Sequence, residues 1–134
     1  MAEQLAIPGN AIETEAGYFW LKNEIVHIYN KPTIHLKLEV ALLNIEMSRR
    51  TAAGVSRPLL IDMTEIKSIE RAAREAFAAA GTPQYVTAVA LITRSGLSRV
   101  LGNFFIGFNR ATVPTRLFSD CSSARTWLQN YLPV

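Results

Sequence analysis

The sequence has one cysteine, Cys121, and two histidines, His27 and His35. A lone thiol excludes an intramolecular disulfide and any metal site built on several cysteines, and it favours a reducing compartment. The two histidines do not follow the HxxxH or HExxH spacing that sets both imidazoles on one helical face around a metal. They read as ordinary polar positions, and neither metal nor cofactor is expected. Long apolar runs are lacking as well: Val40 to Leu43 and Val86 to Ile92 are far shorter than the ~20 residues that cross a bilayer. Blocks of like charge are also missing. The 14 basic and 11 acidic residues, net +3, are spread along the chain, leaving no basic stripe for nucleic acid and no polybasic tail for a membrane. The first ten residues, MAEQLAIPGN, hold an acidic residue, no basic one and no long apolar run. They are read as a flexible N-terminal segment without a secretory signal, which points to the cytoplasm.

What is present suffices for a core. A chain of 134 residues with 49% hydrophobic content is expected to form one domain over 1–134. Two β-rich runs between Ala11 and Asn30, with a turn expected at Lys22-Asn23, predict a β-hairpin. After Pro32, Thr33 is placed to cap a helix continuing to about Arg50, with Gly54 past its end. The alternation of Ile34, Leu36, Leu38 and Val40 also permits a strand, but the segment's length and its helix formers favour the helix. Pro58 to Met63 has the continuous apolar character of a strand buried on both faces. Ser68 is expected to cap a second helix bearing Ile69, Ala72, Ala73, Ala76, Phe77 and Ala80, stopped by Gly81. Val86 to Thr93 repeats the buried-strand pattern, and Ser95 to Phe108 predicts another helix. A short strand, Thr115 to Phe118, precedes a last helix capped by Ser122 or Ser123 and bearing Ala124, Trp127, Leu128 and Tyr131. The fold class is therefore α/β, with about five mostly parallel strands, an opening hairpin and about four helices.

This order, the Pro58 to Asp62 strand leading through Thr64 and Glu65 into an Ala-rich helix, and the closing Phe118 strand with its Ala124, Trp127, Leu128 helix resemble the STAS fold of bacterial anti-sigma factor antagonists. The likeness is to the uncharacterised STAS-like proteins often grouped with CRAL-TRIO lipid-transfer domains. It implies a bacterial, non-catalytic regulatory or binding protein. In the regulatory members a serine or threonine at the start of the second helix is phosphorylated. Here Glu70, Arg71, Ala72 and Ala73 fall at that place, so the resemblance carries no phosphoacceptor, and Ser68 a few residues earlier is explained by capping.

No catalytic constellation is visible. Asp62 ends a buried strand, where α/β proteins often put functional groups, but a carboxylate there also caps the following loop. Gly102 to Gly107 has the spacing of a phosphate loop without its Lys-Ser/Thr, and Gly96-Leu97-Ser98-Arg99 lacks the second glycine of a nucleophile elbow because Val100 stands there. Arg94, Ser95, Ser98 and Arg99 form a candidate anion site at a helix start. Phe104, Phe105, Ile106 and Phe108 form a candidate apolar pocket for a small molecule or lipid. The first helix divides its apolar residues into two stripes, Ile34, Leu38, Ala41, Leu42 and Ile45 against Leu36, Val40, Leu43 and Met47. One stripe suffices to cover a sheet. The second is expected to be an interaction surface, which makes a homodimer the first expectation and Leu43→Asp a folded monomer. Another part of this chain, such as the third helix with Phe104, Phe105 and Ile106, is the other expected cover, and a protein partner or an apolar ligand is a further one.

Overall fold

The computed structural model describes residues 6–32, 34–96, 99–100 and 113–133. The chain enters through β1 (Ile12–Glu13) and runs antiparallel into β2 (Gly17–Lys22) and β3 (Ile25–Asn30). The hairpin turn is Asn23-Glu24, one residue beyond the expected Lys22-Asn23. Both residues take positive φ, 52° and 68°, the backbone of a two-residue hairpin loop whose twist matches its strands. Asparagine tolerates this conformation and glutamate does so less readily. The Glu24 carboxylate is held by an ion pair with Arg57, whose Nε donates to the Ala52 carbonyl at 2.9 Å.

The predicted first helix begins later than expected. Thr33 lies outside the described residues, Ile34 is not helical, and His35–Leu36 form a short strand, β4. Helix α1 spans Leu38–Ala52 from an extended Lys37 and ends at Ala53, itself at φ 55°, ahead of Gly54 at φ 78°. Strand β5 (Arg57–Asp62) follows, then a second two-residue strand, β6 (Ser68–Ile69), which pairs in parallel with β4. Ser68 is thus a strand residue and not a helix cap. The cap position of α2 (Arg71–Ala80) is Glu70, whose carboxylate accepts instead from the Leu38 N–H at 3.2 Å, at the start of α1. The β4–β6 ladder and this bond pin the starts of both helices side by side. Gly81 closes α2 as expected.

Strands β7 (Val86–Ile92) and β8 (Thr115–Phe118) complete a six-stranded sheet in the order β1-β2-β3-β5-β7-β8. All pairs from β3 onward are parallel. Helix α3 (Cys121–Leu128) and a 3-10 turn (Gln129–Tyr131) end the described chain. Its cap is Asp120, which accepts from the Ser123 backbone N–H at 2.7 Å and from the Ser123 hydroxyl at 3.0 Å, so Ser123 donates where it was expected to cap. Three helices are present among the described residues. The fourth expected one, Ser95 to Phe108, lies mostly outside them.

The period of two along each strand sorts side chains to two faces. Phe19, Val26, Ile28, Leu59, Ile61, Val89 and Leu91 face α1 and α2. Trp20, Ile25, Leu60, Ala88, Ala90 and Ile92 pack with Cys121, Ala124 and Leu128 of α3. The inward arc of α1 takes in Met47 from the stripe expected to be exposed, Ala41 from the other stripe and Asn44 between them. Leu36 and Met47 are buried in the core, and Val40 and Leu43 pack against it. Leu38 and Leu42 are the exposed pair, at 38% and 54%. The stripe Leu36, Val40, Leu43 and Met47 is therefore packed on the core and no free surface, because the inward arc of α1 is centred on Asn44, between the two stripes.

Candidate functional site

The central strand is sealed on one face only. Leu60 and Asp62, turned toward α3, are buried, whereas Leu59 and Ile61, turned toward α1 and α2, stay half-exposed. A mid-sheet position under two helices is ordinarily closed, and the reason it is open here lies in α2. Its sequence, RAAREAFAAA, presents methyl groups and one large apolar side chain, Phe77, to the space above the sheet. The result is a cavity of about 330 Å³ between α1, α2 and the sheet. Its floor is Ile28, Leu59, Ile61, Val89 and Leu91, and its sides include Ile45 and Ala52 of α1 and Phe77 and Ala80 of α2.

Two buried asparagines interrupt this apolar lining. Asn30, at the end of β3, donates through Nδ2 to the Asp62 carbonyl at 3.1 Å. Asn44, facing it from α1, donates through Nδ2 to Asn30 Oδ1 at 3.2 Å. Asn44 Oδ1 is buried without a hydrogen-bond partner among the described residues. Ser48 also lines the cavity, and its hydroxyl donates to the Asn44 carbonyl at 2.7 Å. Arg49, the only charged residue among the described lining, is exposed and stacks 3.8 Å above the Tyr85 ring.

The chain has no match among curated proteins. A family model, Domain of unknown function (DUF7793), matches residues 19–132, which takes in every strand from β3 onward, all three helices and the whole cavity lining. The chain belongs to the DUF7793 family. The structure is also similar to the crystal structure of an uncharacterized protein from the DUF3478 family with a SpoIIAA-like fold, from Shewanella loihica PV-4. The two agree over 96% of this chain and 98% of the other, with a TM-score of 0.56 and 20% sequence identity. At that identity the likeness concerns the fold, and this DUF7793 domain has the SpoIIAA-like, STAS-type architecture that its element order resembles.

Of the residues singled out from the sequence of the DUF7793 domain, some lie among the described residues and some outside them. Arg94 is half-buried at the end of β7, its Nε donating to the Ser119 carbonyl and its Nη1 to Thr64 Oγ1, both at 3.4 Å. Ser95 and Arg99 are exposed and joined by a backbone bond of 3.0 Å, and Ser98 lies outside the described residues. Phe104, Phe105, Ile106 and Phe108 also lie outside them. The cavity that is described sits instead under α1 and α2. Asp62 is buried, and Oδ1 accepts from the Thr64 N–H at 2.8 Å, the loop-capping role read for it. His27 is buried against Trp20, with rings 5.3 Å apart and 13° from parallel, and desolvation lowers its pKa to about 4. His35 is exposed beside Ser68, Nδ1 to Oγ 2.6 Å.

Sequence reasoning in this DUF7793 domain missed Asn30, Asn44 and the cavity. By spacing Asn44 falls between the two apolar stripes of the first helix, where a polar residue ordinarily meets solvent, yet it is 4% exposed. The signal that was available is the alanine content of α2: a helix of methyl groups over a strand of Leu and Ile cannot fill the interlayer space to the close packing of protein interiors.

Proposed function

We propose that this DUF7793 domain is a non-catalytic STAS-like binding module that takes an apolar small molecule between α1, α2 and the sheet. The observation that carries the reading is the open α1/α2 face of the central strand. The cavity above it falls at the lower end of ligand-pocket volumes, ~300–1,000 Å³, and combines apolar walls with a few polar groups, as such pockets do. Burying a ligand against Leu59 and Ile61 removes apolar surface from water on both partners, a gain of ~25 cal/mol per Å² before the costs of association. The described lining offers asparagine, serine, glutamine, tyrosine and one arginine, a set suited to orienting a ligand and without a general base near neutral pH. A protein-contact role through Leu36, Val40, Leu43 and Met47 has no support, because those side chains belong to the core.

Naphthalene, an apolar molecule of suitable size, tests the reading by methyl NMR. Saturable shifts are expected at Ile61 and Leu91, which line the cavity, with Leu60 and Ala90 on the α3 face left largely unmoved. Shifts confined to the α3 face, or none at all, would refute it.

A further inference from the structure

The exposed residues of the cavity lining gather at one end. They are Arg49, Gly54, Val55, Gln84 and Tyr85, and they belong to the last turn of α1, the turn into β5 and the turn from α2 into β7. Both turns lead into parallel strands that pair from Arg57 and Val86 onward, so the mouth lies at the edge of the sheet where β5 and β7 begin. At the opposite end the lining residues Leu36, Met63 and Ile66 are buried. A molecule therefore enters past the C-terminal ends of α1 and α2, and whatever group it leaves at the mouth stays in contact with water.

Charge at the mouth has one sign. The Arg49 guanidinium carbon sits 3.8 Å from the centre of the Tyr85 ring, so the side chain reaches from α1 to the α2–β7 turn. Stacking uses the face of the guanidinium and leaves its N–H edge free to donate. Arg49 makes no ion pair or side-chain hydrogen bond among the described residues, whereas its neighbour Arg50 is taken by Glu46 and Arg57 by Glu24. No carboxylate lines the described cavity to receive a cation. The helix ends do not replace one: the Ala52 carbonyl already accepts from the Val55 N–H and Arg57 Nε, and the Ala80 carbonyl from the Thr82 N–H. A lone arginine answers one negative charge, and its fork matches the two oxygens of a carboxylate. Volume sets the tail: at ~30 Å³ per water-sized group, about 330 Å³ holds on the order of ten non-hydrogen atoms. Resting on the cavity reading above, we infer that the ligand is an amphiphilic monoanion of about this size, which enters tail first and leaves its carboxylate on Arg49 at the mouth.

Octanoate, 1-octanol and octylammonium share a tail length and differ in the charge of the head. Calorimetric titration of the whole protein at low salt should show octanoate about tenfold tighter than 1-octanol, the effect of one charge-assisted hydrogen-bonded contact, with octylammonium weakest. The preference should shrink as salt is raised, because the head group stays within reach of water. Arg49→Gln should bring octanoate to within about twofold of 1-octanol, and Arg49→Glu should make octylammonium the tighter of the two charged ligands. Arg49 is exposed, so both variants are expected to fold; if they do not, the octanoate-to-octanol ratio in the unaltered protein decides. 1-Octanol binding as tightly as octanoate there, or an octanoate preference that survives Arg49→Gln, overturns the inference. Failure of all three ligands overturns it as well. Naphthalene has no head group and keeps the two readings apart: with its shifts at Ile61 and Leu91 present, these results remove the carboxylate assignment alone, and without them the cavity reading falls too.

Discussion

His27 shows what burial does to a single ionisable side chain. Its Nδ1 lies 2.9 Å from the Ile25 carbonyl, so the neutral ring carries its proton there, and Nε2 is buried without a partner among the described residues. Protonation would place a cation in a buried site beside Trp20, and desolvation accordingly lowers the pKa from 6.5 to about 4, helped by the positive charges of Arg125 and Lys22. Because the folded value lies below the unfolded one, the unfolded chain takes up the proton first as the pH falls. The stability that depends on a neutral His27 is complete above about pH 6.5 and is lost as the pH falls through about 4, a total on the order of 3 kcal/mol. Urea titrations between pH 7 and 4 should show this decline, and His27→Phe, which keeps the ring stack, should flatten it. Gly17 illustrates a purely steric constraint. A Cβ there would run into the Tyr29 carbonyl across the β2–β3 pair, and backbone cannot rotate aside as a side chain can. Gly17→Ala is expected to cost on the order of 2 kcal/mol or more in a denaturation midpoint comparison.

At the scale of elements, strands were more legible than helix starts. Val86 to Ile92 and Thr115 to Phe118 are β7 and β8, because a short β-branched or apolar run between turn residues has few competing structures. The helix starts failed for a specific reason. Ser68 and Ser122 have the right chemistry for a cap, but the backbone of Ser68 is committed to the β4–β6 ladder, a pairing across more than thirty residues that no local pattern encodes. The same ladder converts the Ile34–Leu36 alternation into a strand. The phase of α1 was lost for a related reason: its inward arc includes Asn44, which a hydropathy reading sends to solvent. Two charged substitutions on adjacent residues therefore separate the readings. Leu43→Asp puts a carboxylate against Phe19, Val26 and Ile28 and should destabilise by on the order of 3 kcal/mol or unfold the protein. Leu42→Asp, on the exposed side, should change stability by about 0.5 kcal/mol or less. Circular dichroism melts of the two variants make the comparison.

For the whole molecule, the cavity links stability to binding. Three layers are held by a sheet whose α3 face is closed by Leu60, Ala90, Ile92 and Leu128 and whose other face is left short of side-chain volume by the alanines of α2. An underpacked interior forfeits dispersion contacts and hydrophobic gain, so the fold is less stable than the same layers would be if filled, and a ligand in the cavity supplies the missing contacts. Leu59→Trp tests this exchange, since residue 59 is half-exposed into the cavity and an indole there occupies part of the space the ligand needs. The variant should melt above the unaltered protein, by ~4 °C for a gain of about 1 kcal/mol in a domain of this size. It should also lose the naphthalene shifts at Ile61 and Leu91. Saturating naphthalene should raise the melting midpoint of the unaltered protein and leave that of Leu59→Trp in place, because a ligand stabilises only the state that binds it. A variant that melts lower and still binds would mean that the indole was expelled to solvent, and the stability cost of the cavity would then have to be sought in the Asn30–Asn44 pair.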